Sequence, residues 1–232
     1  MKVEIQTTAD GSPTLYRSDI DEHYHSVKGA VVESRHVYIE SGWRKAAESF
    51  DPVVVFEVGF GTGLNAALTA QTALSAGKKT IYFSVELNPL PKATTDALLP
   101  YQGEDYRREF VAVNEAGWDK PTEINPCFTL IKMRADLLEM EFPQNINVVY
   151  FDAFAPEKQS EMWGEEIFRK LYDAMTPGGI FTTYCAKGVI RRRLQSVGFI
   201  TERLPGPPAG KREILRSYKD AGIDQTRSNA TD

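Results

Sequence analysis

Val53 to Val58 and Thr80 to Glu86 are strong β-type runs, nearly continuous in apolar residues, and further strands are legible at Phe128 to Met133, Asn147 to Phe151, Gly179 to Tyr184 and Phe199 to Leu204. Runs of this length predict strands, and their want of alternation predicts a parallel sheet covered on both faces. Between them, Leu64 to Ala76, Pro91 to Leu99, Ser160 to Met175 and Lys187 to Val197 predict helices, the last stopped by Gly198. Beyond the Pro205-Gly206-Pro207-Pro208 turn, Arg212 to Tyr218 is expected to return as an antiparallel edge strand. The alternation predicts an α/β fold with a doubly wound, mostly parallel seven-stranded sheet. Two stretches stand outside it, residues 1 to 45 and Tyr101 to Pro126; such additions cover a site or shape a substrate surface. We expect one domain over 1 to 220, an N-terminal extension (1 to 45) packed near the site on a core (46 to 220), with 221 to 232 a disordered tail.

The turn after the first strand is the chemical signal. Val58 runs into Gly59-Phe60-Gly61-Thr62-Gly63-Leu64-Asn65, with Glu57 just before it. Glycines at 59, 61 and 63 permit positive φ and let a ligand lie against the main chain. A carboxylate at 57 argues against a phosphate at this turn and for a cationic or amine-bearing ligand. Glycines alone also fit a dinucleotide fold or a plain tight turn. The whole pattern resembles the first motif of class I S-adenosyl-L-methionine-dependent methyltransferases, a Rossmann-like family whose ligand carries a free amine and a sulfonium. That resemblance makes Glu57, Gly59, Phe60, Gly61, Thr62, Gly63 and Asn65 cofactor-binding residues.

Further acids stand at strand ends. Glu86 ends the second strand, where a nucleotide fold places an acceptor for ribose hydroxyls. Asp136, after the third, is read either as an acceptor for an adenine amino group or as the cap of the Leu137 turn. Asp152 follows Val148-Val149-Tyr150-Phe151, near the switch point where ligands bind. Methyl transfer from a sulfonium needs a neutral nucleophile about 3–3.5 Å from the methyl. An alkylamine with a pKa near 10.4 loses its proton at pH 7 at a cost of about 4–5 kcal/mol. Asp152 is therefore the candidate catalytic residue, positioning the amine first and accepting its proton second, with cofactor-amine binding or loop capping as the bland alternative.

All three histidines, His23, His25 and His36, lie in the first 45 residues without zinc-like spacing, so no metal is expected. Tyr24, His25, Arg35 and His36 are instead candidate substrate contacts. Tyr184 and Lys187, with Lys211 and Arg212, bring cations toward the crevice mouth, where some of them and of Arg191 to Arg193 suit phosphate contacts. Phe154 and Trp163 suit either base stacking or the core. The net charge of −5 does not favour wholesale nucleic-acid binding, though a local basic patch can still steer a polyanion. Cys127 and Cys185 are expected to be free thiols. With no apolar run of about 18 residues and no signal-peptide order, the chain is expected to be soluble and cytoplasmic, with no membrane contact.

Tyr24-His25-Ser26, Glu33-Ser34-Arg35-His36-Val37, Val58 to Asn65, Asp152 to Pro156 with Met162-Trp163, and Tyr184 to Gly188 through Gly198-Phe199 to Lys211-Arg212-Glu213 together resemble the methyltransferase domain of the MnmC family. These are bifunctional tRNA wobble-uridine modification enzymes and their stand-alone relatives. The resemblance implies S-adenosyl-L-methionine as cofactor and the tRNA anticodon loop as substrate. It implies methylation of 5-aminomethyl-2-thiouridine to 5-methylaminomethyl-2-thiouridine. No second glycine-rich motif is seen for the family's flavin-dependent oxidase half, so a separate oxidase or upstream tRNA-modifying enzyme is expected to supply the aminomethyl group. The alternatives are a small-molecule amine methyl- or aminopropyltransferase and a non-catalytic cofactor-binding scaffold.

Overall fold

A computed structural model describes residues 3–208 and 210–221. The tail expected over 221 to 232 therefore lies, apart from its first residue, outside the described residues.

A small antiparallel sheet of β1 (Val3–Thr7), β2 (Pro13–Arg17) and β3 (Glu22–His23) opens the chain. A helical segment follows, α1 (Ala30–Ser34), a π-helical stretch Arg35–Arg44, and α2 (Lys45–Ala47). The alternation then begins with β4 (Val53–Val58), α3 (Leu64–Ala76), β5 (Thr80–Val85), α4 (Lys92–Leu98), α5 (Arg107–Glu115), β6 (Pro121–Asn125) and β7 (Phe128–Met133). It closes with β8 (Ile146–Phe151), α6 (Glu165–Ala174), β9 (Met175–Thr183), α7 (Gly188–Ser196), β10 (Ile200–Pro205) and β11 (Glu213–Tyr218).

The main sheet has the order β10-β11-β9-β8-β4-β5-β7-β6. Pairings among β9, β8, β4, β5 and β7 are parallel, and β11 and β6 run antiparallel to their neighbours. The seven predicted strands are all present, and an eighth joins them at the edge. That eighth strand, β6, comes from the stretch read as an irregular addition. Its Pro121 begins the strand and its register slips between Glu123 and Asn125, features at home on an edge.

Alternation along the strands divides the core. Val53, Val55, Tyr82, Leu130, Val148 and Tyr150 pack with Ala66, Ala67 and Ala70 of α3, Phe110 and Val113 of α5, and Tyr38 and Trp43 of the π-helical stretch. Phe56, Val58, Val149, Phe151 and Phe181 pack on the other face with Ile167, Phe168 and Leu171 of α6 and Ile190 and Leu194 of α7. Both faces are covered, which is why the strands carry no polar alternation.

The 101–126 stretch does not cover a site. None of its residues reaches the cavity described below. Its α5 packs on α3, and Asn114 Nδ2 donates to the Thr62 carbonyl at 3.1 Å, bracing the glycine turn from behind.

Candidate active site

The carboxyl ends of β4, β5, β7 and β8 open into one cavity of about 770 Å³, roofed by Arg17, residues 22–27 and Glu33 from the N-terminal segment. That volume lies within the ~300–1,000 Å³ of small-molecule sites. Among the predicted residues, Gly59, Phe60, Gly61, Asn65, Glu86, Asp136, Asp152, Tyr24, His25, Phe154, Tyr184, Lys187, Lys211 and Arg212 line it.

The glycine turn is held where a ligand's main-chain approach needs it. Gly59, Gly61 and Gly63 have φ of 90°, 52° and 82°. A Cβ at Gly59 would stand 3.0 Å from the Asp152 carbonyl oxygen, because β4 and β8 run side by side in register up to Val58 and Phe151. Gly59→Ala therefore adds backbone strain of about 1–3 kcal/mol. We expect it to weaken S-adenosylhomocysteine binding at least roughly tenfold by calorimetry, one decade per ~1.4 kcal/mol.

Glu86 ties the turn to its neighbour: its Oε2 accepts the Gly61 N–H at 3.2 Å and its Oε1 the Asn88 N–H at 2.9 Å. Asp136 lines the cavity, and its Oδ1 accepts the Leu138 N–H at 2.9 Å, as the cap of a turn does. Leu87 and Leu137 lie beside these acids.

Glu57 corrects its prediction. Period-two alternation turns it to the same face as Val53 and Val55, beneath α3, so it is fully buried and does not line the cavity. Ser84 Oγ donates to its Oε2 at 2.6 Å and its Oε1 is unpartnered. Burial pushes its carboxyl up to about 8, the bond from Ser84 only partly opposing this. A neutral Glu57 is a floor beneath the turn and not a wall facing a cation. Thr62 and Gly63 shape the turn without lining the cavity, and Thr62 Oγ1 lies 3.4 Å from His25 Nε2. Burial holds His25 down to about 4, so it is neutral.

Asp152 is the centre of the polar network. Tyr38 Oη donates to its Oδ1 at 2.6 Å, and Asn65 Nδ2 donates to its Oδ2 at 2.8 Å. Burial pushes its carboxyl up to about 6, while the Tyr38 and Asn65 bonds hold it lower than burial alone would. Asn65, predicted as a cofactor contact, thus also fixes the acid. Tyr38 was missed as a site residue, although it directly follows the Glu33-Ser34-Arg35-His36-Val37 segment singled out in the sequence. The π-helical winding rotates side chains away from α-helical spacing, so no four-residue period could have aimed it.

Two predicted contacts go elsewhere. Arg35 pairs with Asp105 at 2.5 Å, and His36 Nε2 donates to the Pro205 carbonyl at 2.8 Å; neither lines the cavity. Trp163 is fully buried, donating Nε1 to the Phe154 carbonyl at 2.8 Å, so it belongs to the core. Arg193 donates to the Trp163 carbonyl, and none of Arg191 to Arg193 reaches the cavity. At the mouth, Tyr24 meets the Phe154 ring edge to face at 5.1 Å, and Arg17, also missed by sequence reading, sits 5.7 Å over the same ring. Lys187 pairs with Glu157. The Lys211 ammonium lies 3.6 Å over the Tyr184 ring.

Residues 120–220 match the family model of a S-adenosyl-L-methionine-dependent methyltransferase. The chain is 34% identical over 215 residues to the tRNA 5-methylaminomethyl-2-thiouridine biosynthesis bifunctional protein MnmC of Pseudomonas fluorescens, across 84% of this chain and 32% of that protein. The chain is MnmC-like. It is likewise 31% identical to the MnmC of Pseudomonas syringae pv. tomato, over 91% of this chain. It spans about a third of the length of these curated MnmC relatives, 32% and 34%. Among solved structures, MnmC2 from Aquifex aeolicus superposes with a TM-score of 0.79 at 23% identity, covering 96% of this chain and 72% of that one. Spermidine synthase from Thermotoga maritima follows the same fold at a TM-score of 0.60 and 16% identity, covering 96% and 70%. Over residues 120–220 the chain is thus similar to S-adenosyl-L-methionine-dependent methyltransferases, and its fold is the one seen in MnmC2.

The residues present fit that cofactor. The bare glycine turn leaves the main chain open to a ligand, and Glu86, Asp136, Leu87 and Leu137 line the same cavity, acids that would accept from ribose hydroxyls and an adenine amino group beside apolar side chains that would face a purine.

Proposed function

We propose that this chain methylates the aminomethyl group of the wobble uridine in tRNA, taking 5-aminomethyl-2-thiouridine to 5-methylaminomethyl-2-thiouridine. The observation that carries this reading is Asp152, a half-buried carboxylate clamped on both oxygens and presented to the cavity beside the glycine turn. When bound, the cofactor supplies an electrophilic methyl on a sulfonium. The chain's own task is to present a neutral amine in line with it. A carboxylate with its pKa raised to about 6 is ionised at pH 7, so Asp152 accepts an amine N–H and turns the nitrogen lone pair toward the methyl. Tyr38 and Asn65 keep the carboxylate from turning with the substrate.

A uracil ring entering the mouth would meet Tyr24 and Phe154, with the Arg17 guanidinium stacked over the same aromatic surface. Arg212 at the rim suits an anticodon-loop phosphate. Arg212→Ala is then expected to weaken tRNA binding for all sequences alike and to reduce the salt slope of log K by about 0.7–0.9, as loss of one phosphate contact does. Filter binding across a salt series reads this directly.

The aminomethyl group comes, in this reading, from a separate oxidase or an upstream tRNA-modifying enzyme, and the reaction takes place in the cytoplasm. No helix among the described residues is long and apolar enough to cross a membrane. The deciding experiment supplies labelled S-adenosyl-L-methionine and bulk tRNA from cells lacking the activity, followed by nucleoside mass spectrometry. Label in the methylaminomethyl nucleoside is the expected result. Label confined to polyamines or other small amines would replace the tRNA reading with that of an amine transferase.

A further inference from the structure

Next to Asp152 stands a second carboxylate that sequence reading did not assign. Glu33, on α1, lines the cavity and is only 9% exposed. Its Oε2 is buried without a hydrogen-bond partner. The nearest cation is Lys211, whose Nζ stands 3.4 Å from that oxygen. The same ammonium lies 3.6 Å from the centroid of the Tyr184 ring, close enough for a cation–π contact, and it acts on Asp152 as a neighbouring positive charge. Glu33 in turn acts on Asp152, Tyr38 and Tyr184 as a neighbouring negative charge, so these groups share one end of the cavity.

Glu33, the Tyr184 ring and, at longer range, the Asp152 charge therefore face a primary ammonium that belongs to the chain itself. Lys211 reaches this place on a stem that is 42% exposed, from the loop joining β10 to β11, so it can withdraw into solvent with little loss of packing. We infer that Glu33, Asp152 and the Tyr184 ring form a binding site for a substrate alkylammonium, and that Lys211 occupies it as a placeholder that an incoming amine displaces. This deepens the amine-methylation reading and rests on it for the identity of the amine. Glu33 draws the ammonium in, the ammonium gives a proton to the Asp152 carboxylate, which then holds the neutral amine with its lone pair toward the methyl, and the departing Lys211 becomes free to meet a phosphate at the rim. Neutralising either carboxylate leaves the ammonium with a single counter-charge.

The test uses binding, so that it does not depend on turnover. Calorimetry compares 5-aminomethyluridine with its neutral analogue 5-hydroxymethyluridine on the protein loaded with S-adenosylhomocysteine. Wild type is expected to prefer the amine by about tenfold or more. Glu33→Gln is expected to bring the two ligands within about twofold of each other, with S-adenosylhomocysteine affinity unchanged as the control for folding, whereas Glu33→Asp keeps most of the preference. Lys211→Met, which removes the placeholder, is expected to tighten amine binding. The inference is overturned if wild type shows no preference, if Glu33→Gln keeps it, or if Lys211→Met weakens amine binding. Failure of tRNA methylation with the amine preference intact would instead overturn the tRNA reading and leave this site standing.

Discussion

Asp152→Asn is expected to lower methyl transfer to tRNA by about 10²–10⁴-fold, the usual worth of a positioned proton acceptor, while S-adenosylhomocysteine affinity stays as in wild type. The substitution keeps the shape of the side chain. Tyr38 can still donate to an amide oxygen at this position, and Asn65 can turn its own amide to match. What disappears is the negative charge that favours an amine N–H pointing away from the methyl. Single-turnover transfer of labelled methyl, with calorimetry on the same samples, separates the two quantities. Equal transfer by wild type and variant would remove Asp152 from the chemistry.

The pH profile carries a second signature of the same residue. An alkylamine already demands deprotonation throughout the neutral range, so kcat/KM rises with pH well above 7. Below about 6, Asp152 also gains a proton and the profile of wild type should steepen. Asp152→Asn should lack that extra limb. Tyr38→Phe deletes a hydrogen bond that holds the Asp152 pKa down, so it should move the limb upward.

How much of this was legible before the structure depends on which periodicity a residue obeys. Strands β4, β5, β7 and β8 were plain because their apolar runs are buried on both faces, and the glycine turn, Glu86 and Asp152 came with them as strand-end residues. β6 was hidden, since an edge strand with two of its five residues exposed and only one buried has no continuous apolar run. Arg35, His36 and Tyr38 were adjacent in sequence, but only Tyr38 turns to Asp152, while Arg35 and His36 turn to Asp105 and Pro205. A π-helical winding gives no sequence signal that would have sorted them. Glu57 shows the opposite error. Its place in a glycine motif suggested a ligand contact, although simple alternation along β4 already turned it beneath α3 with Val53 and Val55.

That buried acid gives the largest expected effect on stability. Glu57 titrates near 4.5 in an unfolded chain and is pushed up to about 8 in the fold by burial. The folded state therefore holds a proton that the unfolded state releases as pH rises. The contribution is fully present below about pH 4.5 and is lost as pH climbs through about 8. Each unit of pH between these limits removes about 1.4 kcal/mol, a total on the order of 5 kcal/mol. Asp152 behaves in the same sense, but only up to about pH 6, so the interval from 6 to 8 reports mainly on Glu57. Glu57→Gln places a neutral side chain of nearly the same shape beside Ser84 and has no proton to lose. Relative to wild type, the variant is expected to gain stability steadily from pH 6 to pH 8, by roughly 1.4 kcal/mol per unit, and to melt higher by about 2–4 °C for each kcal/mol gained. Denaturant titrations of both proteins at several pH values measure that slope. Parallel curves for the two would show that Glu57 is ionised in the fold, and the buried acid would then have to be balanced by a cation at the turn, as the glycine motif first suggested.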